Sequence, residues 1–312
     1  MSKLIQERCA TCETCICNKK RRPREIGKMG CLGPATEPFE IMSLDTIGGF
    51  GGRRSTKRYL HLLVDHFSRF AYILTSANQT TNEFRKLIGK VLEEGQIKTL
   101  LTDQYGGLSS KEFSHFLKEK GVDRIFTAVD HASSNGLNER LNQTITGRIR
   151  CRVNEKGNKV GWATIAHRCV NEYNDTVHSV TQFPPSYLMK GKEISILPEE
   201  LRLTRDYLKD KALAIENSKR DHDRNKARVD KNKVTYDFQI GDMVYVENGS
   251  RLNREKLDPI RIGPFPISKK ISDSVYKLNM NSKKGEKGLF HVNKLLPFKA
   301  EKYDVGVSVP GV

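Results

Sequence analysis

The stretch FEIMSLDTI at residues 39–47 opens the part of the chain that sets its fold class. Its apolar and polar residues alternate well enough for a half-buried strand. Two more strand-like stretches follow, RYLHLLVDHF at residues 58–67 and RFAYILTS at residues 69–76. The glycines between residues 48 and 52 supply the turn between the first two strands. The sequence therefore predicts three adjacent strands joined by short turns.

Helical and strand patterns alternate beyond this point. The spacings Thr80-x-x-Glu83 and Ser109-x-x-Glu112 predict two capping boxes, each opening a helix. Strand-like stretches lie between and after them, IKTLLTD at residues 97–103 and DRIFTAV at residues 123–129. Three adjacent strands followed by alternating helices and strands predict an α/β fold, with a mixed five-stranded sheet flanked by helices.

A further helix is predicted after the turn formed by residues 133–136. Its buried stripe consists of apolar residues at intervals of four, Leu137, Leu141, Ile145 and Ile149. Glu139 lies well off that stripe and close to the helix N-terminus, where the helix dipole favours a carboxylate. Asn135 can cap the helix. Gly136 allows a backbone angle closed to other residues.

Charge limits the classes of partner. The 54 Lys+Arg against 37 Asp+Glu give a formal net charge of +17, which favours a nucleic acid or an acidic membrane surface. No apolar run approaches the roughly 18 residues that a membrane span needs. The first residues lack the apolar core of a signal peptide. These features predict an intracellular protein with cysteines either reduced or metal-bound. The basic segment after residue 196 lacks the bulky apolar face of a membrane-binding helix, so no membrane partner is expected.

The cysteines are concentrated near the start of the chain. Cys12 and Cys15 have the spacing of half a tetrahedral zinc site, but the first histidine of the sequence is His61. Two interpretations stay open. The cysteine-rich segment binds zinc by itself, or it is a flexible fragment of a zinc module followed by a solvated basic run at residues 19–22.

Two aspartates stand at corresponding places in the predicted sheet. Asp45 comes late in the first strand and Asp103 at the end of the fourth. Such a cluster of acids is strongly repulsive unless it is protonated or holds a cation, and oxygen ligands select Mg²⁺ or Mn²⁺. In a basic protein, these acids together with Glu139 would suit two-metal phosphoryl transfer on DNA. Asp65 and Asp130 are interpreted as surface or turn residues.

Asp45, Asp103 and Glu139, with 35 residues between the last two, resemble the Asp, Asp-x35-Glu triad of retroviral and retrotransposon integrases. The surrounding sequence agrees in SLDTI, LVDHFSRF, LLTDQYGGLSSKEF, SSNGLNERLNQTI and YNDTVHSVTQFPPSYLMKG. The resemblance covers nearly the whole chain and is closest to integrases of gypsy-type long-terminal-repeat retrotransposons. It implies a ribonuclease-H-like core that binds two Mg²⁺ or Mn²⁺ ions, trims element DNA ends and joins their 3′-hydroxyls to target DNA. By matching position, the three acids would be the metal ligands and catalytic residues.

The resemblance also implies a division of the chain. Residues 1–36 would be a truncated zinc-module remnant and basic linker, 37–195 the catalytic core, and 196–235 a basic helical linker. Residues 236–300 would form a small SH3-like β-barrel that binds DNA, and 301–312 a tail. Gly263-Pro264-Phe265 resembles the GPY/F motif of gypsy-type integrases. Cys12 and Cys15 match the family's cysteine pair, while the absence of its histidine half argues against Zn²⁺ binding.

The implied partner is double-stranded DNA, both element ends and target, bound by a homo-oligomer in the nucleus after passage through the cytoplasm. The residues predicted to contact DNA are Asn135, Gly136, Arg140, Arg148, Arg220, Arg224, Arg228 and Lys256. For the basic segment that contains the last arginines, a solvated helical linker and a track along the DNA backbone stay as alternatives.

Two departures from the family pattern bear on activity. Ala132-Ser133 stands where many relatives have Pro-Gln, and Asp103 is followed by Gln104-Tyr105 where the family has a glycine. A shift of about 1 Å beside a reacting group can lower a rate on the order of a hundredfold. A catalytically decayed or repurposed integrase-fold DNA-binding protein is therefore the alternative to an active integrase.

Overall fold

A computed structural model describes residues 12–19, 33–51, 55–103, 105–126, 136–191, 205–231, 237–247, 257–271, 275–280 and 288–298. The chain divides into two compact units, Cys31–Arg228 and a second one that combines Met1–Gly30 with Val229–Val312. The predicted borders at residues 37, 196, 236 and 301 stay predictions. The second unit joins both ends of the sequence, which no periodicity indicated.

The first unit is built on a mixed sheet. Its strands are β1 (Ile41–Ile47), β2 (Tyr59–Asp65), β3 (Ala71–Ser76), β4 (Thr99–Thr102) and β5 (Asp123–Phe126). Their order across the sheet is β3-β2-β1-β4-β5. The first three strands pair antiparallel, whereas β4 runs parallel to both β1 and β5. The prediction of a mixed five-stranded sheet is confirmed.

The helices predicted from the sequence are present, and the described residues contain others besides. The helices are α1 (Glu13–Asn18), α2 (Thr81–Leu92), α3 (Lys111–Glu119), α4 (Gly136–Val153), α5 (Trp162–Asn174), α6 (Pro185–Lys190) and α7 (Tyr207–Asp230). Among the described residues, none of these helices is both long and apolar enough to cross a membrane.

Helices cover both faces of the sheet because β2 is apolar on both sides. Leu63 belongs to a core with Phe84 of α2 and Phe113 of α3. Leu62, one residue away and therefore on the opposite face, packs in a second core with α4 and α5. The predicted stripe of α4 lies in this second core, where Leu141, Ile145 and Ile149 are buried and Leu137 is partly buried. The sheet thus holds α4 against β1, which matters for the site below.

The first half of α7 also packs on this unit. Ala214 is buried in a core with Phe183 and Tyr187. The Tyr187 hydroxyl donates to Asp210 Oδ2 over 2.9 Å, and the Tyr207 hydroxyl donates to the Leu188 carbonyl over 2.9 Å. The interpretation of this segment as a fully solvated linker is therefore wrong for the first half of the helix.

The second unit contains an antiparallel sheet of the SH3-like type. Its strands are β6 (Met243–Glu247), β7 (Arg261–Lys270), β8 (Val275–Leu278), β9 (Leu289–His291) and β10 (Leu295–Pro297), in the order β10-β6-β7-β8-β9. Val244, Ile267 and Tyr276 are among its core residues. Gly263 has φ +128°, and a Cβ there would lie 2.9 Å from the Val244 carbonyl oxygen. Only glycine fits at this irregular point in the antiparallel pairing of β7 with β6.

The helix caps differ from the two predicted capping boxes. Thr80 is the N-cap residue of α2, but its side chain makes no capping hydrogen bond. The cap of α3 is Ser110, one residue beyond the predicted Ser109, and its Oγ accepts from the Phe113 amide over 3.1 Å. Consecutive serines give the same sequence signal, so only the backbone path decides which of them caps the helix.

Asp65 is a buried residue, so its interpretation as a surface acid is wrong, although its carboxylate does bind the turn that follows β2. Its Oδ1 accepts from the Phe39 amide over 2.8 Å, and its Oδ2 accepts from the amide and hydroxyl of Ser68, both over 2.6 Å. Three donors compensate for the loss of water around the carboxylate. Asp130 lies outside the described residues.

The sheet core should carry much of the stability of the first unit. Phe84 is fully buried and packs edge-on against Phe113, with ring centroids 6.2 Å apart. We expect Phe84→Ala to lower the free energy of unfolding by about 3–5 kcal/mol, because it leaves a cavity. Urea unfolding followed by the fluorescence of Trp162, the single tryptophan, measures this. Leu208→Ala, at a side chain that is 75% exposed, is the control and should change stability by less than about 0.5 kcal/mol.

Candidate active site

Parallel pairing of β1 with β4 aligns two of the three predicted ligands. Leu44 lies opposite Thr102 in the register of these strands. Asp45 directly follows Leu44 on β1, and Asp103 directly follows Thr102 on β4. The two aspartates therefore lie side by side. Neighbouring strands lie about 4.8 Å apart. The sheet therefore brings these two carboxylates together, as their places in the sequence predicted.

The two carboxylates stand in an environment that disfavours negative charge. Burial raises the pKa of Asp45, and hydrogen bonds from the Thr46 amide (2.7 Å) and Asn142 Nδ2 (2.6 Å) oppose this in part. Burial of its carboxyl also raises the pKa of Asp103, although the residue as a whole is exposed, and the charge of Asp45 raises it further. Within the described part of the chain, no lysine or arginine offsets either charge.

Glu139 projects from the exposed side of α4, in its first turn. Asn142, which donates to Asp45, follows it by three residues and shares that side of the helix. The polar side of α4 therefore faces β1 at Asp45. The described residues contain no group of three or more His, Cys, Asp or Glu side chains arranged to hold a metal. The structure pairs Asp45 with Asp103, and the full three-acid ligand set stays a prediction.

A buried polar network holds the first turn of α4 and was missed by sequence reasoning. Ser43 Oγ donates to Asn138 Oδ1 over 2.7 Å, and His66 Nε2 lies 2.9 Å from the same hydroxyl. Burial lowers the pKa of His66 to about 3, so its ring is neutral at physiological pH. Ser43 lies two residues before Asp45, and Asn138 directly precedes Glu139. The network thus ties the strand that carries one predicted ligand to the helix that carries another.

The predicted DNA-contacting residues of α4 lie at its start and along its length. Gly136 is the first residue of the helix. Arg140 is exposed and directly follows Glu139, while Arg148 is half-buried. Asn135 lies outside the described residues. Their contact with DNA stays a prediction.

The remaining predicted residues lie in α7 and near the chain ends. Arg220, Arg224 and Arg228 are exposed on α7. Arg220 pairs with Glu216 over 2.7 Å, an exposed ion pair that a phosphate can displace at little cost. Cys12 is the N-cap residue of α1 and Cys15 lies within that helix. Lys256 lies outside the described residues.

The fold of this chain is similar to that of a solved retroviral protein. This chain is similar to a solved intasome of simian T-cell lymphotropic virus in complex with PP2A regulatory subunit B56 gamma. The match covers 95% of this chain and 91% of that chain, with a TM-score of 0.59 and 14% identity. A second match, the HTLV-2 integrase catalytic core domain in complex with magnesium, covers 49% of this chain and 97% of that chain, with a TM-score of 0.42 and 17% identity.

In sequence, the chain is similar to transposon polyproteins. The Transposon Tf2-3 polyprotein of Schizosaccharomyces pombe (strain 972 / ATCC 24843) is 26% identical to it over 320 residues. The match covers 96% of this chain and 23% of the polyprotein, so the chain spans less than a quarter of that relative's length. Residues 241–299 match the family described as Tf2-1-like, SH3 domain. The resemblance noted from the sequence motifs is thereby confirmed.

The hydrogen bond from Asn142 should control the charge of Asp45. We expect Asn142→Ala to raise the pKa of Asp45 further, because the bond stabilises the ionised carboxylate and such bonds contribute about 1.5–3 kcal/mol. Carboxyl-detected NMR titration measures the change. Gln143→Ala, at an exposed neighbour on the same helix, should leave the pKa of Asp45 unaltered. An unchanged pKa in Asn142→Ala would contradict the contact.

Proposed function

We propose that this chain is the integrase region of a retrotransposon polyprotein. It is a polynucleotidyl transferase that trims the 3′ ends of element DNA and joins them to target DNA. The observation that carries the proposal is the pairing of Asp45 with Asp103 beside the helix that bears Glu139. The homology to retrotransposon polyproteins over 96% of the chain supports the same conclusion.

The residues at the site fit divalent metal ions. Asp45 and Asp103 are two adjacent carboxylates with raised pKa values and no offsetting cation among the described residues, a set of hard oxygen donors that suits Mg²⁺ or Mn²⁺. Asp45, Asp103 and Glu139 would hold the two ions. When bound, such ions activate a water or 3′-hydroxyl and stabilise the leaving oxygen.

The chain's own residues have distinct tasks in this proposal. Asn142 orients Asp45 by donating to its Oδ2. Ser43 and Asn138 hold the first turn of α4, which carries Glu139, against β1. Outer-shell residues of this kind commonly change metal affinity or activity about 10–100-fold when removed.

We also propose double-stranded DNA as the partner. The net charge of +17 favours a polyanion, and Arg140 carries an exposed cation next to Glu139. The exposed arginines of α7 would contact phosphates and contribute affinity without base specificity. Binding as a homo-oligomer and action in the nucleus belong to the same proposal.

A specific observation favours the second candidate, a non-catalytic DNA-binding protein with an integrase fold. Tyr105 occupies the position of the family glycine, and its hydroxyl donates to the Gln79 carbonyl over 3.2 Å. This contact restrains Tyr105, two residues beyond Asp103. A segment held in the wrong position would keep the fold and the positive charge but lose the reaction.

Activity should depend on the acids that are proposed to hold the metal ions. We expect Asp103→Asn and Glu139→Gln each to lower strand transfer with Mn²⁺ on short duplexes by at least about a hundredfold, since loss of even an outer-shell partner lowers activity about 10–100-fold. Gel analysis of labelled duplexes measures joining. Asp123→Asn and Glu155→Gln, at exposed acids elsewhere, should retain activity. Cleavage or joining that neither site variant alters would defeat the enzyme proposal and leave the DNA-binding one.

The pH dependence of the Tm should reveal the charge of Asp103. The pKa of Asp103 is raised in the folded chain, so this carboxyl contributes stability below its unfolded pKa and loses it as pH rises through the folded pKa. We therefore expect Asp103→Asn to raise the Tm at neutral pH without divalent cations, with the gain shrinking towards acidic pH. Mn²⁺ should raise the Tm of the wild type more than that of the variant. A lower Tm for the variant at neutral pH, or an equal gain in Asp123→Asn, would contradict this.

A further inference from the structure

The C-terminal end of α1, near the start of the sequence, contacts the barrel that is formed near the end of the sequence. The last four carbonyls of any helix lack partners within it. In α1, the Cys15 carbonyl accepts from the Lys19 amide, as an ordinary cap. The next two carbonyls accept from the start of β7. Arg261 Nη1 donates to the Ile16 oxygen over 2.9 Å, and the Ile260 amide donates to the Cys17 oxygen over 2.8 Å.

Arg261 is a buried cation that also needs these contacts. Only 8% of the residue is exposed, and a buried guanidinium is costly without acceptors. Its Nη1 donates to the Lys19 carbonyl as well, over 3.2 Å. A positive charge at a helix C-terminus also interacts favourably with the helix dipole. Arg261 therefore provides caps for the helix, and the helix provides acceptors for Arg261.

The helix α1 also carries a buried apolar residue. Ile16 is only 2% exposed, although α1 has just six residues. An isolated helix of that length is not stable in water, since about 12–15 residues are needed even for favourable sequences. Burial also raises the pKa of the Cys17 thiol. The helix must therefore owe its structure to the barrel, and the interpretation of residues 12–19 as a flexible fragment is wrong.

We propose that residues 12–19 are a docked cap of the C-terminal barrel in the same chain, with Arg261 as the latch. The two ends of the sequence then fold as one unit, separated along the chain by the whole catalytic core. Cys12 is the N-cap residue of this helix and Cys15 lies within it. The distance between their two side chains is therefore fixed only while the cap is docked. Any reaction or ligand of those thiols is consequently coupled to the folding of the barrel.

Hydrogen exchange of the full-length chain, followed by mass spectrometry, tests the cap. In the wild type, the amides of residues 16–19 should be protected. In Arg261→Met they should exchange at least about tenfold faster, as expected for the loss of a charge-assisted hydrogen bond, while Val244 and Tyr276 stay protected. Lys270→Met is the matched control, because it removes one cation from the far end of β7, where Lys270 pairs with Asp237. It should leave the exchange of α1 unchanged.

A second variant separates undocking from unfolding of the barrel. Arg261→Met could also increase the exchange of the Val244 amide. In that case Ile16→Ala should still release α1 while the amides of the barrel strands stay protected, because Ile16 belongs to the cap and not to the barrel. Unprotected residues 16–19 in the wild type, or unchanged protection in both variants, would overturn the proposal. Protection that disappears on hundredfold dilution would assign the cap to a second copy and overturn docking within one chain.

Discussion

The parallel pairing of β1 with β4 is the constraint on which the candidate site depends. It sets Asp45 beside Asp103 without help from any loop, because both residues directly follow the aligned pair Leu44 and Thr102. The pairing needs a crossover connection, which α2 provides on one face of the sheet. The antiparallel neighbour β2 supplies apolar side chains to both faces, so helices cover the sheet on each side. Rigid strands therefore determine the spacing of the two acids.

Within this rigid frame, the carboxylates of Asp45 and Asp103 repel each other. Two carboxylates are brought together where burial already disfavours their charge, and hydrogen bonds from Thr46, Asn142 and Tyr105 offset this only in part. A fold gains no stability from such an arrangement, but a site that holds divalent cations needs it. The neutral His66 and the Ser43 hydroxyl support α4 without adding charge to the region. These neutral polar groups hold α4 in position, whereas the acids are the residues proposed to bind metal ions.

The second unit follows a different principle, since it is assembled from both ends of the chain. The apolar core of the barrel is local in sequence, but the acceptors for the buried Arg261 come from residues 16 and 19. A guanidinium has a fixed planar set of donors, so one side chain can bind two carbonyls of a helix end. The cysteine-rich segment thereby becomes part of the C-terminal unit.

The sequence by itself determined the order of strands and helices, the buried stripe of α4 and the spacing of the three acids. Period-two and period-four patterns report which side of a local element is apolar, so these features needed no tertiary information. Only the tertiary structure decided that Asp65 is buried and that Ser110, rather than Ser109, caps α3. It also decided the contact of Ser43 with Asn138 across 95 residues and that of Arg261 with Ile16 across 245. A polar residue has the same local pattern whether water or a distant backbone carbonyl satisfies it, and only the folded chain brings that distant partner within reach.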